Sequence, residues 1–254
     1  MIPYLFQVYG PIYANCYGIA IALGIMLFTF CMNRDPKRAR LINPNQLQNT
    51  IVLSILVGVL GGRLLWVLSN WPMPWRETIE IWEGGLSVLG AILSIVLIMP
   101  LYLRYLKVPV LPLLDLAAIY APLMQALGRI GCFCAGCCYG LPTSLPWGVI
   151  YTHPDIHLPY KFCAIHPTQL YSSLIFLSIF GLMYWGLRKR LTKPGQLTSI
   201  YLILSSSERF MVDFWRADHE YFDQPAWQIF SIHQWISLGI ILASAGYLIW
   251  RRFK

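Results

Sequence analysis

The sequence predicts an all-α polytopic membrane protein of about seven transmembrane helices, with its N-terminus outside the cytoplasm and its C-terminus inside. Three observations carry this expectation. The 254 residues are 57% hydrophobic and only 12% charged, whereas a soluble domain carries roughly a quarter charged residues. Uncharged apolar runs recur at about 20 residues, the length that crosses the hydrocarbon layer as helix. Thirteen of the 19 Lys and Arg residues fall at alternate ends of those runs. Helix is the expected spanning element, because in lipid each backbone amide must find its partner within the segment. The alternation required of barrel strands is missing.

Spans are expected at 12–32, 50–69, 85–103, 109–128, 168–187, 195–214 and 232–250. The first apolar run is too long for a signal-peptide core and leads into Asn33-Arg34-Asp35 instead of a small-residue cleavage site, so it is read as a retained span. Arg34, Lys37, Arg38 and Arg40 follow it. The second span carries Arg63 and leads out towards Trp66, Trp71 and Trp75; the third is followed by Arg104 and Lys107. The fourth ends at Arg129, and the fifth is followed by Arg188, Lys189, Arg190 and Lys193. The sixth holds Arg209, and the seventh runs into Arg251, Arg252 and Lys254. If the spans alternate, the four basic clusters share one face, which the positive-inside rule makes cytoplasmic. The net charge of +8 is then topological, with some attraction to anionic headgroups, and no nucleic-acid partner is expected. Trp147, Tyr151 and Trp215 join the tryptophans above in an outer interfacial belt. One domain is expected over residues 1–254. Its longest extramembrane piece, an outer loop at about 130–167, holds most of the Gly, Pro, Cys and His.

Ionisable groups inside spans cost roughly 2.5–3.5 kcal/mol on insertion scales and mark functional sites by default. Arg63, Arg129 and Arg209 all fall in the outer halves of their spans, at comparable depth. A guanidinium holds phosphate through two parallel hydrogen bonds, so three at headgroup depth point to recognition of a phospholipid head. The plainer reading is that Glu208, Asp213 and Asp115 pair with them to hold the bundle together. Glycines punctuate the same stretches: Gly61-Gly62, Gly84-Gly85, Gly128, Gly131, Gly136 and Gly140. Close helix packing accounts for many of these. In Gly128-Arg129-Ile130-Gly131 the glycines would also let a headgroup approach the backbone.

Several pieces fall together in order: Gly61-Gly62-Arg63-Leu64, Ile81-Trp82-Glu83-Gly84-Gly85-Leu86-Ser87, Gly128-Arg129-Ile130-Gly131 with Phe133, Gly136 and Gly140, His166-Pro167-Thr168-Gln169-Leu170-Tyr171, and Glu208-Arg209-Phe210 through to Arg216. Together they resemble the bacterial prolipoprotein diacylglyceryl transferase family over essentially the whole chain. The resemblance implies a seven-helix enzyme of the bacterial cytoplasmic (inner) membrane whose site faces the outer leaflet. It would move diacylglyceryl from phosphatidylglycerol to the lipobox cysteine thiol of a prolipoprotein and release glycerol phosphate. It makes Arg129 the phosphatidylglycerol-binding arginine and Arg209 the essential arginine of the sixth helix. Arg63, Gly128, Gly131, Gly136, Gly140 and Arg216 complete the expected substrate-binding set, and no cofactor is implied. The chain departs from the family pattern at Leu89, where the family carries a histidine, at Ser205 in place of a tyrosine, and at Asp213 in place of a glutamate. Cys132, Ala135 and Cys137 replace an asparagine, an asparagine and a glutamate. The phosphate arginines survive while much of the polar apparatus does not. This fits a divergent branch and leaves open a phospholipid-using transferase with another acceptor, or a non-catalytic lipid-binding or thiol-redox membrane protein.

Cysteine is concentrated at the same place. Cys132, Cys134, Cys137 and Cys138 cluster, and Cys163 lies further along the outer segment; Cys16 and Cys31 are read as packing residues of the first span. An extracytoplasmic setting permits disulfides, so a stapled loop, reactive thiols and a metal site with His153, His157 or His166 all stay open. The spacing matches no zinc template, and no metal is expected. His166, at the mouth of the fifth span, is the candidate for proton transfer in place of the residue lost at Leu89.

Overall fold

The computed structural model describes residues 4–9, 12–72, 74–79, 84–153, 156, 159–160, 162–217 and 229–253, with the side chains of 4–14 and 76 left aside. His157 and the Ile81-Trp82-Glu83 part of the second motif lie outside the described residues. The chain opens with an antiparallel hairpin, β1 (Tyr4–Tyr9) and β2 (Ile12–Asn15). The helices are α1 (Cys16–Arg34), α2 (Pro44–Ser69), a short α3 (Trp75–Ile79), α4 (Val88–Tyr105), α5 (Val110–Ala135), α6 (Thr168–Gly181, continued by a π-helical stretch Leu182–Leu187), α7 (Gln196–Asp213) and α8 (Ile232–Arg252).

Six of these are long and apolar enough to cross a membrane: α1, α2, α4, α5, α6 with its continuation, and α8. Within their apolar windows only 11% to 44% of residues are buried inside the chain, and side chains such as Leu60, Leu97, Leu101 and Leu242 face outwards. The protein is therefore a polytopic membrane protein whose outer surface is solvated by lipid. The sixth expected span, 195–214, forms as α7, but Ser205, Ser206, Ser207, Glu208, Arg209 and Asp213 make it the most polar of the long helices, and it is not one of the six.

Local chemistry sets the helix ends. Asn43 and Gln46 form a reciprocal capping box with Pro44 at the first turn, so α2 starts six residues before the apolar run does. Ser231 and Gln234 repeat the device at α8. The first span is shorter than its apolar run, because Ile12–Asn15 pair as strand and the Asn15 side chain accepts from the Gly18 N–H to begin the helix. The fourth is longer: α5 continues to Ala135. The outer segment thus starts at about 136 and not 130, and Gly128, Arg129, Gly131, Cys132 and Cys134 stand on helix. Gly131 is needed there for close approach, since a Cβ would lie 2.7 Å from the Ala20 Cβ.

The chain divides into two compact units, one of Met1–Cys31 with Leu114–Lys254 and one of Met32–Leu113. In the smaller unit α2 and α4 cross at small residues. A Cβ on Gly90 would meet the Gly61 carbonyl oxygen at 2.5 Å, and one on Gly61 would overlap the Ser94 hydroxyl. Small-residue crossings of this kind let helices approach where lipid supplies no hydrophobic drive. In the larger unit α7 packs between α6 and α8. Its N-terminus is held by Asp115 of α5, which accepts from Gly195 N–H at 2.6 Å and from the Thr198 amide and hydroxyl at 2.8 Å each. Asp115 is thus a helix cap and not an arginine's counter-ion.

Candidate active site

Arg63 belongs to the smaller unit and is 7% exposed. Its Nε donates to Thr78 O at 3.1 Å, and one terminal nitrogen donates to Gly84 O and Gly85 O at 2.7 and 2.9 Å. The other donates to Glu77 O. The guanidinium also lies 4.5 Å from the centre of the Trp66 ring. Four of its N–H groups are therefore spent on backbone carbonyls. It ties the end of α2 to the segment around α3.

The remaining expected residues lie in the larger unit. Arg209 sits one helical turn before Asp213 on α7 and pairs with it at 3.3 Å. The Arg216 Nε stands 4.0 Å from the same carboxylate oxygen, while the Ser231 hydroxyl donates to the other. Asp213 is 1% exposed. Arg129, half-buried on α5, interacts electrostatically with Arg209, and so do Arg216 and Cys138. Among the described residues no carboxylate pairs with Arg129 and none of its N–H groups finds an acceptor. Arg209 and Arg216 thus share the Asp213 carboxylate, with Arg129 close enough to Arg209 to interact with it. Glu208 points elsewhere: it is 3% exposed and its Oε1 has no hydrogen-bond partner among the described residues.

Arg216 owes its position to a small irregular sheet. Leu141 N–H donates to Trp215 O at 2.8 Å and Ala217 N–H to Tyr139 O at 3.1 Å, while Gly140 and Leu141 exchange bonds with His166. Gly140 is pinched between the two neighbouring chains, for a Cβ would come within 2.5 Å of His166 Cβ and 2.9 Å of Trp215 O. Gly136 has φ of +74° and a Cβ there would strike Ile156 at 2.6 Å. Of the four glycines expected to contact substrate, only Gly128, next to Arg129, faces open space. The His166 ring stands 3.2 Å from the Tyr171 hydroxyl, which also accepts from the Trp147 indole at 2.8 Å.

Five of the seven cysteines fall into two groups, and none of the seven is in a disulfide among the described residues. Cys134 meets Cys16 of α1. Cys132, Cys137 and Cys138 converge, with their sulfurs all within 4.8 Å of one another. Cys163 is exposed and outside that group, and no histidine among the described residues joins it. The fold of the loop brings the three together: two left-handed residues, Gly136 and Cys138 with φ of +74° and +59°, turn the chain back so that Cys137 N–H reaches Cys132 O at 3.2 Å. Hydrogen bonds from the Cys132 and Cys137 thiols hold Cys138 well below the usual thiol range, aided by the Arg216 and Arg129 guanidiniums. Sequence reasoning quoted Thr168 and Gln169 in a motif without a role for them. Both are 1% exposed, and they grip the loop: Thr168 Oγ1 donates to Cys138 O and Gln169 Nε2 to Cys137 O, each at 2.7 Å. Gln169 also donates to the Tyr151 hydroxyl at 3.3 Å, which donates in turn to Phe133 O at 3.0 Å.

Three arginines within electrostatic reach of one another, two of them sharing the Asp213 carboxylate, can take up an anion with more than one negative charge. The comparisons agree with that chemistry. The family model described as prolipoprotein diacylglyceryl transferase matches residues 3–250. Proteins named phosphatidylglycerol–prolipoprotein diacylglyceryl transferase are similar to this chain throughout. The one from Clostridium tetani is 36% identical over 86% of each chain. That from Fervidobacterium nodosum is 35% identical over 85% of this chain and 75% of its own, and that from Bordetella bronchiseptica 30% over 93% and 90%. A family model that matches nearly the whole chain, with relatives 30–36% identical over most of it, shows that the chain belongs to the prolipoprotein diacylglyceryl transferase family.

Proposed function

We propose that this protein transfers the diacylglyceryl group of phosphatidylglycerol to the lipobox cysteine thiol of a prolipoprotein and releases glycerol phosphate. The observation that carries the proposal is Arg129, a half-buried guanidinium that pairs with no carboxylate among the described residues, set beside Arg209 and Arg216, which share the Asp213 carboxylate. The acceptor thiolate forms a bond to the terminal glyceryl carbon while the bond from that carbon to the phosphate oxygen breaks. The oxygen keeps the electron pair, so a phosphodiester with one charge becomes a phosphomonoester with two. Arginines aimed at that phosphate stabilise the transition state more than the bound lipid, which is the condition for catalysis. The acceptor must be deprotonated to attack. His166 is the residue we assign to take that proton, through Nε2, since Nδ1 faces Tyr171.

In this reading the two units act as one domain, α7 completes seven spans, and the site faces the outer leaflet of the bacterial inner membrane. Reporters fused after Arg40, Lys107, Lys193 and Lys254 are expected to read cytoplasmic, and those within 70–80 and 141–165 external. An external signal at Lys193 breaks the seven-span arrangement. The activity itself is tested by incubating the purified protein with phosphatidylglycerol labelled in its acyl chains and a lipobox peptide. A diacylglyceryl thioether on the peptide, with glycerol phosphate released in equal amount, is the expected result. Lipid consumption with no modified peptide would mean another acceptor, and no consumption would refute a transferase.

A further inference from the structure

We propose that Cys132, Cys137 and Cys138 form a thiolate site for a thiophilic metal ion, zinc above all, with a fourth position open to the acceptor thiol. The last clause rests on the transferase reading; the metal site does not. The sulfurs lie within 4.8 Å of one another, and tetrahedral zinc with bonds of about 2.3 Å sets sulfurs roughly 3.8 Å apart. A small contraction closes the site.

The loop is built for that contraction. Cys138 is held at a φ of +59°, a conformation that costs a residue with a side chain roughly 1 kcal/mol or more and persists only where the surroundings enforce it. Thr168 and Gln169 do so by gripping the carbonyls of Cys138 and Cys137, in the way outer-shell groups fix metal ligands. Charge fits as well. Three thiolates and a divalent cation carry a net charge of −1, and Arg129 and Arg216, both felt at Cys138, offset it.

A disulfide suits the trio less well. Adjacent residues have Cα atoms about 3.8 Å apart, below the usual disulfide range of roughly 4.4–6.8 Å, so Cys137 and Cys138 are poor partners for each other. Any pair must then use Cys132 and leave one thiol out. Three protein ligands with one open position is the arrangement of catalytic zinc. A lipobox thiol bound there would give up its proton to water at the outer face and stay a thiolate. Its electron pair then forms the bond to the glyceryl carbon as the phosphate oxygen leaves. Bound this way, the thiol needs less help from a strong base, in a chain where Leu89 replaces the family's histidine.

The test uses the full-length protein, purified reduced and metal-free in detergent, titrated with Co²⁺ and then Zn²⁺. One Co²⁺ per chain with a sulfur-to-metal charge-transfer band, displaced by Zn²⁺, is expected. Cys138→Ser and the more conservative Cys137→Ser, at an exposed position, should each lose the band and weaken binding at least 100-fold, while Cys163→Ser keeps both. Absence of the band in the reduced protein, or its survival in both variants, would overturn the site. So would a disulfide from Cys132 to either partner in protein taken unreduced from the membrane. A lipobox peptide should shift the band and its Cys→Ser version should not; equal effects would overturn the open position. The cobalt readout needs no lipid, so an intact band with no diacylglyceryl transfer refutes the transferase reading and leaves the metal site standing.

Discussion

Two stretches of this chain look alike in sequence, Gly61-Gly62-Arg63-Leu64 in α2 and Gly128-Arg129-Ile130-Gly131 in α5. Each puts an arginine among glycines near one end of an apolar helix, and each belongs to a motif of the family. In the fold they differ in kind. Arg63 gives four N–H groups to carbonyls of residues 77, 78, 84 and 85 and stacks on Trp66, and its neighbours Gly61 and Gly62 exist to let α4 come close. Arg129 has no such acceptors among the described residues, and the glycine before it faces open space. A charge in a span is costly wherever it sits; what separates structure from function is where its donors go. The first arginine is a fastening of the fold. The second keeps its donors uncommitted among the described residues, as the proposed phosphate site requires.

Substitutions can break or sharpen this contrast. The largest effect is expected at the phosphate. Arg129→Ala and Arg209→Ala should each lower transfer by about 100- to 1000-fold, the usual consequence of removing one donor from a developing charge, with the protein still inserted; the melting temperature should change little in Arg129→Ala and fall in Arg209→Ala, which takes a partner from buried Asp213. Transfer within tenfold of the unmodified protein would show that neither arginine meets the phosphate. Next comes Arg63→Ala, which leaves four carbonyls of a buried site without their donor. A loss of about 3 kcal/mol in unfolding free energy is expected, read by thermal unfolding in detergent, whereas a change under about 1 kcal/mol would put Arg63 among ligand-binding residues after all. Gly140→Ala forces a Cβ against His166 and Trp215 O; a loss of about 2 kcal/mol is expected, with weaker lipid binding because the strand that positions Arg216 must move. A stable variant with normal binding would separate Arg216 from that sheet. The smallest effect is Gln169→Met, which keeps volume but drops the bond to Cys137 O. About 1 kcal/mol is expected, with faster alkylation of the exposed Cys137; unchanged alkylation would mean the loop is held by Thr168 alone.

Much of this architecture could be read from residues. The ends of the fifth, sixth and seventh expected spans agree with α6 and its continuation, α7 and α8 to within two residues, because the runs there begin at Pro, Gly or Ser and the fifth and seventh stop at basic clusters. The extension of α5 through Gly128, Gly131 and Cys134 was hidden, since its composition is that of a loop and helix continues only because Gly131 packs on α1. The hairpin was hidden for the opposite reason: Ile12–Asn15 are as apolar as the helix they precede. Arg129 and Arg209 were singled out by charge, depth and motif and Arg216 by motif, and the fold brings the three within electrostatic reach of one another. The duty of Arg63 was not legible, because backbone carbonyls have no sequence signature. Nor was the thiol trio, whose meeting depends on left-handed turns at Gly136 and Cys138 and not on any known ligand spacing.

The contrast between the two arginines is tested most directly by measuring turnover per folded molecule in Arg129→Lys and Arg63→Lys side by side, in vesicles of phosphatidylglycerol with a lipobox peptide. Lysine keeps the charge but not the planar fork. Arg129→Lys should lose about 100-fold or more in kcat at unchanged melting temperature, and Arg63→Lys should melt lower yet turn over within a few-fold of the unmodified protein. Normal turnover in Arg129→Lys with loss in a stably folded Arg63→Lys would contradict the assignment of the phosphate to Arg129.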